Sequence, residues 1–360
     1  MILLLTKLLL YKLFYYLGFP KLLPLNYTIS LTYNCNSKCS TCFVYERKAK
    51  ELSLDEYKKI FKSIGKSAYW VTFSGGEPFL KKDFTEIVKL FYDICKPKII
   101  NIPTNGILNK KIIHDITDIL AHCKKAIINV NLSIDGVAEQ HDAIRNVEGS
   151  YKKAIKTFQD LKNIKAKNLS VAIHTVISKY NIENFAKIAN TMLLLKPDKY
   201  ITEIAEERNE LHTVGKDITP DLINYKAAVD FLIHRIKYTV INKRFDKIAQ
   251  AFRIEYYTLV KKTLKYQKQT IPCYAGITSV QISPDGDVWY CCVKAKSVGN
   301  LRKAKYNFKR IWISPELSAQ RKSIRTGDCY CPLANVAYTN MLLNFRTLYK
   351  VFYRSFIKWR

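Results

Sequence analysis

Between about residues 27 and 205, short β-branched runs alternate with amphipathic helical segments, and this alternation restricts the fold more than any other property of the chain. "YTISLTY", "YWVTFS", "KIINIPT", "AIINVNLS", "LSVAIHTVIS" and "YITEIA" read as strands. "LSLDEYKKIFKSI", "KDFTEIVKLFYDI", "KKIIHDITDILAHC", "SYKKAIKTFQDLKNI" and "NIENFAKIANTMLLL" have helical periodicity. Such a pattern predicts parallel strands joined by crossover helices, and six units form either a partial barrel or an open sheet. Ser53, Asp83, Ser150 and Asn181 stand where helix N-caps are expected. There is no solenoid-length repeat and no low-complexity tract.

The unusual residues fall after the strands. "NCNSKCSTC" follows the first, "GGEP" the second, "TNG" the third and "SIDG" the fourth, while "TEIAEER" lies in and after the sixth. Parallel α/β folds place the C-terminal ends of their strands on one rim, so five separate segments are expected to face one mouth.

Cys35, Cys39 and Cys42 lie within eight residues of one another with nothing apolar between them. A structural zinc site closes its tetrahedron with four Cys or His ligands, the nearest downstream histidine is His114, and a disulfide would leave one sulfur over. Three thiolates on one loop suit an iron–sulfur cube with one open iron, with zinc or free thiols as the alternatives. A second group, Cys273, Cys291, Cys292, Cys329 and Cys331, surrounds "SVQISPDGDVWY", which reads as a hairpin turning at "PDGD". It has enough ligands for a closed metal site. Cys95 and Cys123 fall in helical or apolar stretches as buried bystanders. Clustered thiolates need a reducing compartment, which points to the cytoplasm.

In this order the motifs resemble the radical S-adenosylmethionine (radical SAM) superfamily over about residues 27–335. "CNSKCSTC" is similar to its cysteine signature, and Gly75, Gly76, Glu77 and Pro78 to its methionine-binding loop. "SIDG" with "HDAIR" is similar to the branch carrying a SPASM or twitch extension, whose cysteine and glycine pattern Cys273, Gly286 and Cys291 keep. The resemblance implies an α/β fold: a partial (β/α)6 TIM-like barrel with a small C-terminal SPASM/twitch-like β-hairpin domain and basic amphipathic termini. It implies a 4Fe–4S cluster on Cys35, Cys39 and Cys42 whose free iron chelates S-adenosylmethionine. Reductive cleavage to a 5′-deoxyadenosyl radical and hydrogen abstraction from a substrate follow, with electrons from a flavodoxin- or ferredoxin-like donor. Glu77 would accept from the methionine ammonium; Thr104, Asn105, Ser133 and Asp135 would contact the ribose or carboxylate; Arg145 would fork onto the carboxylate. The family's aromatic residue before the third cysteine is here Thr41, so Phe43 is expected to pack on adenine. "CYC" replaces a longer cysteine series, implying one auxiliary cluster on Cys273, Cys291, Cys329 and Cys331, with Cys292 competing for the place of Cys291. Glu203, Glu206, Glu207 and Arg208 at the rim, and His174 in the fifth strand, are candidates for substrate binding or proton transfer, and His141 for supporting its loop.

Charge and the chain ends bear on partners. Lys and Arg number 59 against 30 Asp and Glu, and from Cys291 onward fifteen basic residues face two acidic ones. Such a field favours a polyanion or an anionic membrane surface. "MILLLTKLLLYKLFYYLGF" is apolar but carries Lys7 and Lys12, lacks a cleavage site and is marginal for a span of about 20 residues. "NMLLNFRTLYKVFYRSFIKWR" spaces Arg346, Lys350, Arg354 and Lys358 by four, with Leu342, Phe345, Phe352, Phe356 and Trp359 between them, as a basic amphipathic helix does; the two ends are expected either to lie in a membrane interface, or to cap the fold or pack on each other. The expected division is an N-terminal segment (1–24), barrel (25–240), helical bridge (241–270), iron–sulfur module (271–336) and C-terminal helix (337–360). The first expectation is a radical enzyme at the cytoplasmic membrane face acting on a lipid-linked, glycan or other membrane-associated substrate. A peptide-modifying maturase is the alternative, weakened by the lack of a recognisable leader-binding domain before the barrel. A non-catalytic basic iron–sulfur protein that binds RNA or carries electrons is disfavoured, because an intact "GGEP" has no purpose there. The molybdenum-cofactor branch ends in a glycine-rich tail that this chain lacks.

Overall fold

The computed structural model describes residues 2–238 and 244–356. The expected boundary at 240/241, and Lys358 and Trp359, lie outside the described residues. One sheet contains β1 (Asn26–Ser30), β2 (Trp70–Ser74), β3 (Ile99–Thr104), β4 (Ile127–Ser133), β5 (Leu169–Ile177), β6 (Lys199–Ile204), β7 (Ser279–Ile282), β8 (Asp287–Trp289) and β9 (Ser297–Asn300). Their order is β6-β5-β4-β3-β2-β1-β7-β8-β9. β1 to β6 are all parallel, with β6 and β9 at the two ends, so the six βα units form an open, partial barrel.

The alternation of residues explains why the second face stays open. In β3 and β4, Ile100, Ile102, Ile128, Val130 and Leu132 are fully buried. The intervening positions are polar: Asn129 Nδ2 donates to Asn101 Oδ1 at 2.8 Å, and Asn101 Nδ2 to Thr72 Oγ1 at 3.4 Å. A parallel sheet covered on both faces would read as a continuous apolar run. On the apolar side, the ring of Phe91 meets Phe61 at 4.9 Å and Phe73 at 5.5 Å, locking helices Leu54–Ile64 and Phe84–Cys95 to β2. Truncating such a ring costs about 3–5 kcal/mol.

Two of the four expected helix caps occupy the cap position. Ser53 forms a reciprocal pair with Glu56, its Oγ accepting from Glu56 N and its own N–H reaching Glu56 Oε2. Asp83 holds the cap position without a side-chain bond. Ser150 and Asn181 have other partners. Ser150 is already helical and donates to Asp142 Oδ1 at 2.8 Å, while Asn181 Oδ1 accepts from Ser178 N and its amide donates to Asp135 O. The side chains found better local partners than a helix end.

Past β6, helices Leu222–Tyr238 and Arg244–Tyr266 lead to the hairpin, which turns at Gly286 with φ +87°. The hairpin does not stand apart: β7 pairs in parallel with β1, Tyr27 opposite Val280, and extends the barrel's own sheet. The N-terminal helix Ile2–Leu17 packs Tyr11, Phe14 and Tyr15 against Leu25, Tyr274, Ile277 and Leu343. Cys95 and Cys123 are fully buried. No helix among the described residues is long and apolar enough to cross a membrane.

Candidate active site

The loop after β1 is held by backbone hydrogen bonds from two sides. Lys38 N and Ser40 N donate to the carbonyls of Arg145 and Ile144, which end helix Glu139–Arg145, and Phe43 N donates to Leu211 O. On the other side Gly76 N donates to Thr32 O at 2.7 Å and Glu77 N to Asn34 O at 2.9 Å. A Cβ on Gly75 would lie 2.3 Å from Thr32 O, and one on Gly76 2.2 Å from Asn34 O. The close approach that these glycines permit is therefore to the backbone leading into the cysteine loop.

Glu77 is buried, and its carboxylate accepts three hydrogen bonds. Thr104 Oγ1 donates to Oε1 at 2.9 Å, Asn105 N to Oε2 at 2.8 Å and Phe79 N to Oε1 at 3.3 Å. Burial pushes Glu77 up to about 7 against the pull of these donors. Thr104 and Asn105, expected at the ribose or the carboxylate of the cofactor, both donate to Glu77; Asn105 also reaches Asn36 Oδ1 at 2.7 Å. Pro78 is buried and opens the turn Pro78–Leu80.

Arg145 is no surface salt bridge, for its side chain is only 12% exposed. Nη2 lies 2.7 Å from Asp135 Oδ2, Nη1 lies 3.6 Å from Cys39 Sγ, and Nε has no hydrogen-bond partner among the described residues. Asp135 also accepts from Val176 N at 2.8 Å, and its own N–H donates to His141 Nδ1 at 3.2 Å, so His141 supports the loop. Ser133 ends β4 opposite His174 on β5. Phe43 is partly buried, with Lys216 Nζ 4.7 Å from its ring centroid.

A second polar group lies on β5, β6 and the loop beyond. Glu203 Oε1 is 3.8 Å from His174 Nε2 and 3.5 Å from Arg208 Nη2, and Arg208 Nε is 3.5 Å from Glu206 Oε1. Burial pushes Glu206 up to about 8 against the adjacent Arg208. His174 Nε2, Glu206 Oε1 and Arg208 Nε are buried without a hydrogen-bond partner among the described residues. Glu207 points elsewhere, accepting from Gly215 N at 2.7 Å. The loop carrying these residues touches both cysteine groups: Leu211 O holds Phe43 N, and Asn209 N donates to Val293 O at 3.0 Å. Glu210 and Gln281, which pair with each other, were not singled out from sequence; the signal was a lone buried amide in an apolar hairpin strand.

All ten cysteines are free of disulfides. Burial raises Cys35 to about 11, Cys42 to about 12 and Cys273 to about 12, so these thiols ionise only when a cation takes the proton's place. Cys273 feels Cys291 and Cys329, and Cys331 feels Glu206, Cys291 and Cys273, whereas Cys292 feels Cys291, Glu210 and Arg208. Three free thiols in the first group and five in the second are the donor type that iron–sulfur clusters take, while no group of three or more side chains that could hold a single metal ion occurs among the described residues.

Comparison with known proteins agrees. The Radical SAM superfamily model matches residues 29–192, and the SPASM iron-sulfur cluster-binding domain matches residues 273–332. The mycofactocin maturase MftC of Mycobacterium ulcerans is 30% identical over 322 residues, 85% of this chain and 79% of that protein. The chain belongs to the radical SAM superfamily. A second relative of this radical SAM enzyme is the antilisterial bacteriocin subtilosin biosynthesis protein AlbA of Bacillus subtilis, 26% identical over 297 residues. That match takes in 79% of this chain but spans only 59% of AlbA. Streptococcus suis SuiB, solved with its precursor peptide SuiA, shares the fold: TM-score 0.59 at 17% identity, over 89% of this chain and 73% of SuiB. As a radical SAM enzyme the protein works with a 4Fe–4S cluster and S-adenosylmethionine, and its SPASM domain carries auxiliary iron–sulfur.

Proposed function

We propose that this radical SAM enzyme modifies a ribosomally made peptide. The observation that carries the reading is the span of the match: similarity to a maturase runs through 85% of the chain, beyond the radical SAM part alone. It supports a peptide better than the lipid-linked or glycan substrate expected first from the chain ends.

In this reading Cys35, Cys39 and Cys42 hold the first cluster, and Cys273, Cys291, Cys329 and Cys331 the auxiliary one. Gly75, Gly76, Glu77 and Pro78 receive the methionine end of the cofactor, with Thr104 and Asn105 orienting Glu77. Arg145, with Asp135 and Ser133, lines the same mouth, and Phe43 meets the adenine. His174, Glu203, Glu206 and Arg208 face the substrate. Arg208 lies between Glu203 and Glu206, 3.5 Å from each, and His174 Nε2 is buried without a hydrogen-bond partner among the described residues, its tautomer deciding whether it donates or accepts. A peptide group offers both a donor and an acceptor, so either tautomer finds a partner on it. Glu206, raised to about 8, holds a proton near neutrality and can return it. The division into a barrel at 25–240, a bridge at 241–270 and an iron–sulfur module at 271–336 belongs to the same proposal. So do a flavodoxin- or ferredoxin-like donor and peripheral contact with an anionic membrane at its cytoplasmic face.

The test is competitive. The anaerobically reconstituted enzyme is given a displayed peptide library and, in parallel, polyisoprenoid-linked sugars, with dithionite and S-adenosylmethionine. Enriched peptides whose mass changes only when 5′-deoxyadenosine forms support the reading. Turnover on the lipid-linked sugars alone, or no modified peptide, overturns it.

A further inference from the structure

The two ends of the chain meet. Lys12 Nζ lies 3.1 Å from the centroid of the Phe345 ring, joining helix Ile2–Leu17 to helix Phe345–Phe356. Both helices commit one face to the fold and leave a second apolar stripe outside. Opposite buried Tyr11, Phe14 and Tyr15, the N-terminal helix exposes Leu9, Leu13 and Tyr16 at spacings of four and three. The C-terminal helix is turned inside out: it buries Thr347, Val351 and Ser355 while Phe345, Tyr349, Phe352 and Phe356 form an exposed line. Phe345 and Tyr349 are 65% and 68% exposed. A helix whose only task was core packing would direct its aromatic residues inward.

The exposed charge on these two helices is basic: Lys7, Arg346 and Lys350 are exposed, while Arg354 is paired with Glu255 at 2.8 Å. The first acidic residue of the chain is Glu46 and the last is Asp328, so neither end carries a carboxylate side chain.

We propose that the two helices form one docking plane that lies in the interface of an anionic lipid bilayer. An interfacial helix needs an apolar stripe flanked by cations; Arg346 flanks the stripe of the C-terminal helix, and Lys12, with its ammonium over Phe345, that of the N-terminal helix. The N-terminal helix packs Tyr11, Phe14 and Tyr15 on the fold, which suits a helix lying on a bilayer rather than crossing it. Nucleic acid would match the charge and has aromatic rings to stack on along the C-terminal helix, but Leu9, Leu13 and exposed Leu17 on the N-terminal helix offer it no such surface. The plane backs directly onto the second cysteine group. Tyr15 packs on Tyr274, the residue after Cys273, at 4.6 Å, and Arg325, four residues before Cys329, donates from Nη1 to Tyr15 O at 3.1 Å. The inference rests on the peripheral contact proposed above and is independent of the substrate's identity.

The test uses the full-length reconstituted enzyme in flotation with phosphatidylcholine vesicles, with and without phosphatidylglycerol. Flotation is expected only with phosphatidylglycerol, weakening with salt. R346E/K350E should lower partitioning about 30-fold, and Y349S/F352S about tenfold or more. K124E/K125E, reversing two exposed lysines elsewhere, should change it by about twofold or less. All variants should keep the iron content and S-adenosylmethionine cleavage of the parent, which separates failed docking from failed folding or catalysis. Equal flotation of Y349S/F352S and parent, or an equal loss in K124E/K125E, overturns the proposal. So does absence of flotation, whether the protein is then retained on RNA or forms a dimer that Y349S/F352S dissociates.

Discussion

The two cysteine groups are built in opposite ways. The first places three thiols within eight residues of one loop, and backbone bonds from helix Glu139–Arg145 and from Gly76 and Glu77 hold that loop. The second gathers its thiols from residues 273 to 331 by tertiary packing. Arg321 is the keystone there. Its Nε donates to Gly276 O at 2.6 Å and its Nη2 to Trp312 O at 2.8 Å, and its guanidinium lies over the rings of Phe14 and Trp312. Gln269 adds bonds to the carbonyls of Ile324 and Cys329. A local ligand set survives changes elsewhere in the molecule, whereas a dispersed one registers every loss of packing.

The sharpest way to break this comparison is Cys39→Ala. It should abolish 5′-deoxyadenosine formation while about half the iron, that of the second group, remains on the reconstituted protein. Loss of all iron would mean that the two groups are not independent. Next comes Arg145→Met, which strands the buried carboxylate of Asp135; denaturant unfolding should show a loss of about 3–5 kcal/mol, with iron at the second group unchanged. Arg321→Met should cost about 2–3 kcal/mol through the buried Gly276 and Trp312 carbonyls left unpaired. It should deplete the second group of iron first, and equal depletion at both groups would refute the keystone role.

The smallest expected effect concerns pH. Glu77 has a raised pKa in the folded cofactor-free chain, so its contribution to stability is fullest below its unfolded value and is lost as pH rises through about 7. Between about pH 5 and about pH 7 the loss should be about 2 kcal/mol. Comparing the unfolding free energy of Glu77→Gln with the parent across that range isolates it from Glu206. A difference that stays flat with pH would place the Glu77 carboxylate in water.

The contrast also separates what was legible in the chain from what was not. The first group was readable because its thiols are close in sequence and its neighbours follow successive strands, so order along the chain placed "CNSKCSTC", "GGEP" and "SIDG" after β1, β2 and β4. The partners of Arg145 were not readable: a fork fits any carboxylate, and only the fold brought Asp135 to 2.7 Å. That Thr104 and Asn105 both donate to Glu77 was not readable either, because residues 77 and 104 meet only through the fold. Ser150 and Asn181 show the same limit at helix starts, where competing side-chain partners lie outside the local window.

The sequence by itself determined the parallel alternation, the three-thiol loop and the supply of thiols for a second group, because each depends on residue type and short-range spacing. Tertiary structure alone decided that the hairpin joins the barrel's sheet at β1, that Arg208 sits between Glu203 and Glu206, and that the two chain ends share one surface. The physical reason is that these pairings are among groups far apart in the chain or common in type, and they are selected by packing and by the cost of leaving buried polar atoms unpaired.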